Sequence, residues 1–167
     1  GYANEAREAI LSLDLVDPAS GTGSMLLAAV DLLTPIVAQL DADDDTTDSG
    51  DEIAARKAII QNCVYGVDAN QLSTDTALGV LWLEAVESVD DPIGDLVDHF
   101  ATGDSLLGPV RQQEITQSYE TEDNQGRTYR ENLKSINWGR EFSGVFSGGG
   151  FDAVVTNPPW ERVKVQT

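Results

Sequence analysis

Residues 157–160 read Asn157-Pro158-Pro159-Trp160, a set of types suited to gripping one kind of group. The two prolines fix φ and remove two backbone donors. What remains to face a ligand is acceptor only: the Asn157 side-chain oxygen and the Pro158 carbonyl. An –NH2 group donating two hydrogens fits such a pair. Trp160 adds a flat face on which a planar group can stack. The bland alternative is a proline-rich strand exit with a core tryptophan, and the rest of the chain decides between the two.

Three other segments bear on that choice. Asp17-Pro18-Ala19-Ser20-Gly21-Thr22-Gly23 follows a short alternating run and precedes the apolar stretch MLLAAVDLL. Glycines there allow a tight turn and a close approach of backbone to a ligand. The pair Gly21-x-Gly23 is one glycine short of the dinucleotide fingerprint, and with no lysine in place it is not a P-loop. Alone it is also compatible with a plain turn. Asp68 ends a second run, CVYGVD, where a carboxylate can accept bonds from both hydroxyls of a ribose. Asp104 ends a third, VDHFATGD, where a carboxylate can accept from an exocyclic amine. Each acid, taken singly, is indistinguishable from a surface aspartate.

The elements that must position these residues follow from pattern. Residues 3–12 and the segments EIAARKAIIQN and QLSTDTALGVLWLEAVES read as helices. In the last of these, Leu72, Thr76, Gly79, Val80 and Leu83 fall on one face. The helix after the 17–23 turn is expected to stop and restart at Thr34-Pro35, which looks like a cap and a first helical residue. Residues 13–17, 63–68, 97–104 and 151–156 read as strands. The acidic run 41–52 is expected to be a solvated loop, without calcium-loop spacing. Residues 109–150 are expected to be an irregular connection in which Ile136, Trp138, Phe142, Val145 and Phe146 supply packing groups and 147–150 a flexible turn. Strand alternating with helix implies an α/β fold with a parallel sheet, whose ligands bind at the carboxyl ends of the strands. Asp17, Asp68, Asp104 and Asn157 all stand at such ends. No internal repeat is present.

Composition sets outer bounds. The 167 residues amount to one domain's worth of chain. No apolar run approaches the roughly 20 residues of a membrane span, and no signal-peptide pattern opens the chain. Cys63 is the single cysteine, so no intrachain disulfide forms, and a cytoplasmic location without membrane association is the default. With one cysteine and one histidine, a soft-metal site is not expected. His99 reads as a strand residue, and Trp82 and Trp138 as packing groups. Ten basic residues against 29 acidic ones give a net charge of −19. Such a balance argues against nucleic acid, which selects positive charge. It equally suits an acidic, halophilic protein in molar salt, where the Debye length is about 3 Å and self-repulsion is screened. Composition alone does not choose.

DPASGTGSML, YGVDAN, TGDSLL and TNPPWE, in that order, resemble motifs I to IV of S-adenosylmethionine-dependent methyltransferases acting on the adenine amino group of DNA. The run 138–166 is similar, more particularly, to large restriction–modification enzymes that carry endonuclease and methyltransferase on one polypeptide. The resemblance implies a Rossmann-like methyltransferase fold, here a partial parallel sheet with flanking helices in a single partial catalytic domain, 1–167. It implies that Asp17, Pro18, Ala19, Ser20, Gly21, Thr22 and Gly23 hold the methionine end of S-adenosylmethionine. Asp68, with Ala69 after it, would take the ribose, and Asp104 with Ser105 the cofactor's adenine. Asn157, Pro158, Pro159 and Trp160 would be catalytic, gripping and stacking a base flipped from duplex DNA. Ser20 departs from the cysteine often found there. About 45 positions separate Gly23 from Asp68, against roughly 20 in a compact nucleotide-binding unit; the acidic loop and an extra helix fill the gap. The family also needs further strands, a DNA-recognition domain and a segment ahead of motif I. The 167 residues therefore read as part of a larger enzyme, and this piece is not expected to methylate DNA alone. Two alternatives stay open: a protein-glutamine or RNA-base amino methyltransferase, and a non-catalytic scaffold with the same fold.

Overall fold

The computed structural model describes residues 1–42, 48–86, 92, 94–106, 116–122 and 128–158, with backbone only over 116–122 and 128–134. Its centre is a four-stranded parallel sheet, β1 (Leu15–Asp17), β2 (Val64–Asp68), β3 (Phe100–Thr102) and β6 (Ala153–Val154), in the order β3-β2-β1-β6. Helices α1 (Tyr2–Leu11), α2 (Ser24–Asp41), α3 (Ser49–Cys63) and α4 (Gln71–Ala85) flank it. A two-stranded antiparallel hairpin, β4 (Thr116–Glu122) with β5 (Thr128–Lys134), and two short helices, α5 (Trp138–Glu141) and α6 (Ser143–Gly148), lie between β3 and β6 in the chain. This is the α/β, Rossmann-like methyltransferase architecture.

The core forms two clusters. Leu26, Val30 and Val37 of α2 meet Ile59 and Ile60 of α3, Val64 of β2 and Leu81 of α4. On the other cluster, Val67, Ile136, Phe142 and Val145 are buried, with Trp138 and Phe146 packed against them, as their types imply. At the centre of β2, Gly66 leaves room for the Phe100 ring: a β-carbon at Gly66 would stand 2.3 Å from Phe100 Cε1.

Several expectations are corrected. Helix α2 does not restart at Thr34-Pro35 but runs unbroken through Pro35. Pro35 lies on the exposed face, and the Thr34 hydroxyl, instead of capping a new helix, donates to Val30 O at 2.8 Å. At 18 residues α2 is, by length and composition alone, apolar enough to cross a membrane. Its buried positions nonetheless pack as a core helix against α1, α3 and β1. The acidic stretch 41–52 is not all loop. Residues 43–47 lie outside the described residues, but α2 extends to Asp41 and α3 begins at Ser49. Asp48 accepts from Gly50 N and Asp51 N, and Asp51 Oδ2 accepts from Asp48 N. That capping box, aided by acids in the first turn, makes part of the acidic run a helix start.

The face of α4 is also reversed. Leu72 and Leu83 of the expected apolar stripe are 72% and 60% exposed, while Thr74, Ala77, Leu81 and Ala85 are buried. Small residues turn inward because the helix closes on the Gly23 turn: a β-carbon at Gly23 would stand 3.3 Å from Ala77 Cβ. The third strand keeps only 100–102 of its expected span. Residues Gly94–His99 form a 3-10 turn, and the His99 ring, not a strand amide, meets Val64 O at 3.0 Å. The fourth strand is likewise only Ala153–Val154, at the sheet edge beside β1. The expected irregular connection, 109–150, contains the hairpin and two helices. Ser147 and Gly148 close α6, so the turn is confined to Gly149-Gly150, both at positive φ.

Candidate active site at the carboxyl edge of the sheet

Three of the sequence-identified segments meet through backbone geometry. After β1 the chain turns at Pro18–Gly23, with Gly21 at φ +52° and Gly23 at φ +88°. Ser20 N donates to Val67 O at 2.8 Å, pinning the turn across to β2. Gly21 N donates to Asp68 Oδ2 at 2.9 Å, so the acid ending β2 holds the glycine turn directly. Asp68 Oδ1 accepts from Asn70 N at 2.8 Å. Each carboxylate oxygen thus carries one backbone bond and keeps a second lone pair for a ligand hydroxyl. Asn70 in turn caps α4 by accepting from Leu72 N. Ala69 is exposed beside this edge. Gly103 N donates to Asp68 O at 2.9 Å, which brings the β3 end alongside.

Asp104 is fixed by its own surroundings. Its Oδ1 accepts from Leu106 N, its carbonyl accepts from Ile136 N, and it bridges to Ser135. Ser105 O accepts from Trp138 Nε1 at 3.2 Å. Ser135, the residue after β5, therefore stands at this edge beside Asp104.

Asp17 is 1% exposed. Burial raises its pKa, and the Asp68 charge adds to the rise; the Ala19 amide and the Thr156 hydroxyl oppose it. Ala19 N donates to Asp17 Oδ1 at 3.0 Å. On the other flank of β1, the β6 ladder ends with Val155 N donating to Val16 O at 2.9 Å. Asn157 and Pro158 follow, both exposed at the same carboxyl edge. Pro159 and Trp160 lie outside the described residues. The structure thus joins the 17–23 turn, Asp68 and the Gly103–Asp104 segment, and it sets Asn157 one strand away. No bond links the Asn157 side chain to Asp68 or Asp104.

The site is compatible with a nucleoside-bearing cation. A β-carbon at Gly21 would meet nothing within 4 Å, so the turn is open on that side. The Ser20 hydroxyl is buried without a hydrogen-bond partner. Asp17 and Asp68 supply negative charge for a positively charged ligand. Among the described residues no cluster of His, Cys, Asp and Glu is arranged to hold a metal ion. His99 lies elsewhere, stacked on Tyr65 at 4.2 Å. Two cavities of about 540 and 360 Å3 line the β3 side, and neither touches Asp17, Asp68 or Asn157. Sequence reasoning missed Gly103, Trp138 as the anchor of Ser105, and Thr156. Of these, Gly103 and Thr156 lie inside the motif stretches TGDSLL and TNPPWE, which was the signal for both.

An open parallel sheet with a glycine turn after its first strand, an acid after its second and an Asn-Pro pair after the strand beside the first defines a methyltransferase of the Rossmann-like class. Residues 62–167, well over half the chain, match the family model described as Eco57I restriction-modification methylase, and the chain belongs to that family. The matched stretch includes Asp68, Asp104 and Asn157 and leaves the 17–23 turn outside it. No curated protein and no solved structure matches the chain.

Proposed function

We propose that the protein transfers a methyl group from S-adenosylmethionine to the exocyclic amine of adenine in DNA. The observation that carries this is the bond from Gly21 N to Asp68 Oδ2, which joins two of the motifs, with Asn157 and Pro158 one strand away at the same edge. Residues 17–23 would hold the methionine end, Asp68 and Ala69 the ribose, and Asp104 and Ser105 the adenine of the cofactor. When bound, S-adenosylmethionine supplies an electrophilic methyl on a sulfonium.

The protein's own part is orientation. An adenine amine is a poor nucleophile because its lone pair is delocalised into the ring. The Asn157 side-chain oxygen and the Pro158 carbonyl, both acceptors, would each take one amine hydrogen and favour a pyramidal nitrogen with its lone pair freed. Alignment of that lone pair with the methyl then lowers the barrier. The proton leaves after transfer, so no strong base is required. The base must first leave the duplex, and Trp160 would stack on it. Membership of the restriction–modification family favours DNA over a protein-glutamine or RNA substrate.

The test is incubation of the full-length protein with methyl-labelled S-adenosylmethionine and duplex DNA. Label is expected in N6-methyladenine, with an Asn157→Ala variant slower by about 100-fold, the loss typical of one transition-state contact. Label in another base, or an unaffected variant, overturns the assignment.

A further inference from the structure

We infer that the open edge of β3 is a docking site for an extended, basic segment of a partner protein, which joins the sheet there as a further strand. The sheet order places β3 at one end, and among the described residues it pairs with β2 alone. Gly103 N donates to Asp68 O, and Asp68 stands opposite Thr102. In a parallel ladder of that register, Ala101 turns its amide and carbonyl toward β2, while Phe100 and Thr102 turn theirs away. Among the described residues, these outward amides and carbonyls make no backbone bond. Such a row is a template for the backbone of another chain.

β3 is only three residues long, a length that can by itself blunt an edge. What sets it apart is open space beside the strand on both faces of the sheet. The cavity of about 540 Å3 borders β3 at Phe142, and the one of about 360 Å3 borders it at Leu78 of α4. Leu78 packs on the cluster of Val64 and Phe142 on that of Val67, and these two residues of β2 point to opposite faces. Both cavities reach Val97, Phe100, Ala101 and Glu141, so they adjoin along the strand. A strand added about 4.8 Å from β3 would send alternate side chains into the two halves of this groove. The groove also has a sign. Asp75, Asp98 and Glu141 line it, no lysine does, and Arg140 is bonded to Glu141. With Val97 46% exposed and Phe142 and Leu78 on the walls, the complement is a segment of apolar and basic side chains. A second copy of the chain, at a net charge of −19, would set the same acids against each other.

The experiment follows amide hydrogen exchange at Phe100 and Thr102 in the full-length protein at low salt, resolved to single residues by mass spectrometry. The probe is a capped peptide of about seven residues alternating valine with lysine, long enough to cross an average strand. At about 1 mM peptide, both amides are expected to exchange at least about tenfold more slowly. A peptide with glutamate in place of lysine should protect neither amide, and nor should the lysine peptide N-methylated at alternate residues, which lacks the donors for a ladder. Asp98→Lys, a change at an exposed position that leaves the core intact, should weaken the lysine peptide by about fivefold. Unchanged exchange with the lysine peptide overturns the inference. So does equal protection by the glutamate or the N-methylated peptide, and so does an Asp98→Lys protein that binds as the parent does. Amides already slow in the dilute protein without peptide would put another segment of the same chain on the edge. Amides that slow only as protein concentration rises would put a second copy there. Either result also overturns the partner assignment.

Discussion

Asp68 has two tasks in this structure, and they can be separated. Its oxygens accept from Gly21 N and Asn70 N, so Asp68→Ala removes two charge-assisted bonds. The variant is expected to lose about 2 kcal/mol in urea unfolding and to exchange the Gly21 amide hydrogen faster than the parent. Calorimetry should also show S-adenosylmethionine binding weakened at least about tenfold; affinity that survived the change would contradict the ribose contact. His99 gives a pH signature. Burial, the largest cause, lowers its pKa below the ordinary histidine value of 6.5, against the opposing pull of its bond to Val64 O and of Asp14, Asp98 and Asp95. The folded state prefers the neutral ring, so this contribution is complete above pH 6.5 and is lost as pH falls from there toward the folded value. Urea midpoints should decline over that interval in the parent. The decline should be smaller in His99→Phe, which keeps a ring against Tyr65. Asp17, Asp68, Asp104 and Asn157 were legible because each closes an apolar run, and strand ends are where such a sheet binds ligands. The bond from Gly21 N to Asp68 was not, because it joins positions 47 apart through a backbone amide that carries no residue-type signal.

Among the elements, the order of strands and helices was legible from periodicity, and their faces and ends were less so. The α4 stripe had helical spacing, but spacing does not say which side meets the sheet. The close approach of Ala77 to Gly23 decided that, and it is a contact between distant segments. The start of α3 was hidden by composition: acids that look solvated also cap. Pro35 signals a break by type, yet its position on the exposed face leaves the helix unbroken. Since it sits on the exposed side of an unbroken helix, Pro35→Ala is expected to stabilise the protein by about 2 kcal/mol, measured as a higher urea midpoint. Arg56 of α3 reaches both Asp31 of α2 and Glu84 of α4. Arg56→Met should cost about 1 kcal/mol at low salt, as partly exposed ion pairs do, and less as salt rises.

For the molecule as a whole, charge is the governing quantity. Of the 29 acidic residues, 21 lie in 1–104 with only three of the ten basic ones, so the excess sits on the segment that holds the helices α1 to α4. Stability is expected to rise between 0.1 and 2 M KCl as that self-repulsion is screened. A flat urea midpoint across the series would remove the salt-adapted reading. The sheet order has another consequence, in time instead of space. β6 is last among the described strands, yet it docks against β1, the first; the contact between Asp14 and Asp152 spans 138 positions. At translation rates of about 5–20 residues per second, β1 waits roughly 7–28 s for that neighbour. Pairings of such long range also form slowly. The strand that delivers Asn157 is therefore the last of the described strands to arrive, and the newborn chain has helices α1 to α4 and the turn at 17–23 well before it has the residue expected to grip the amine.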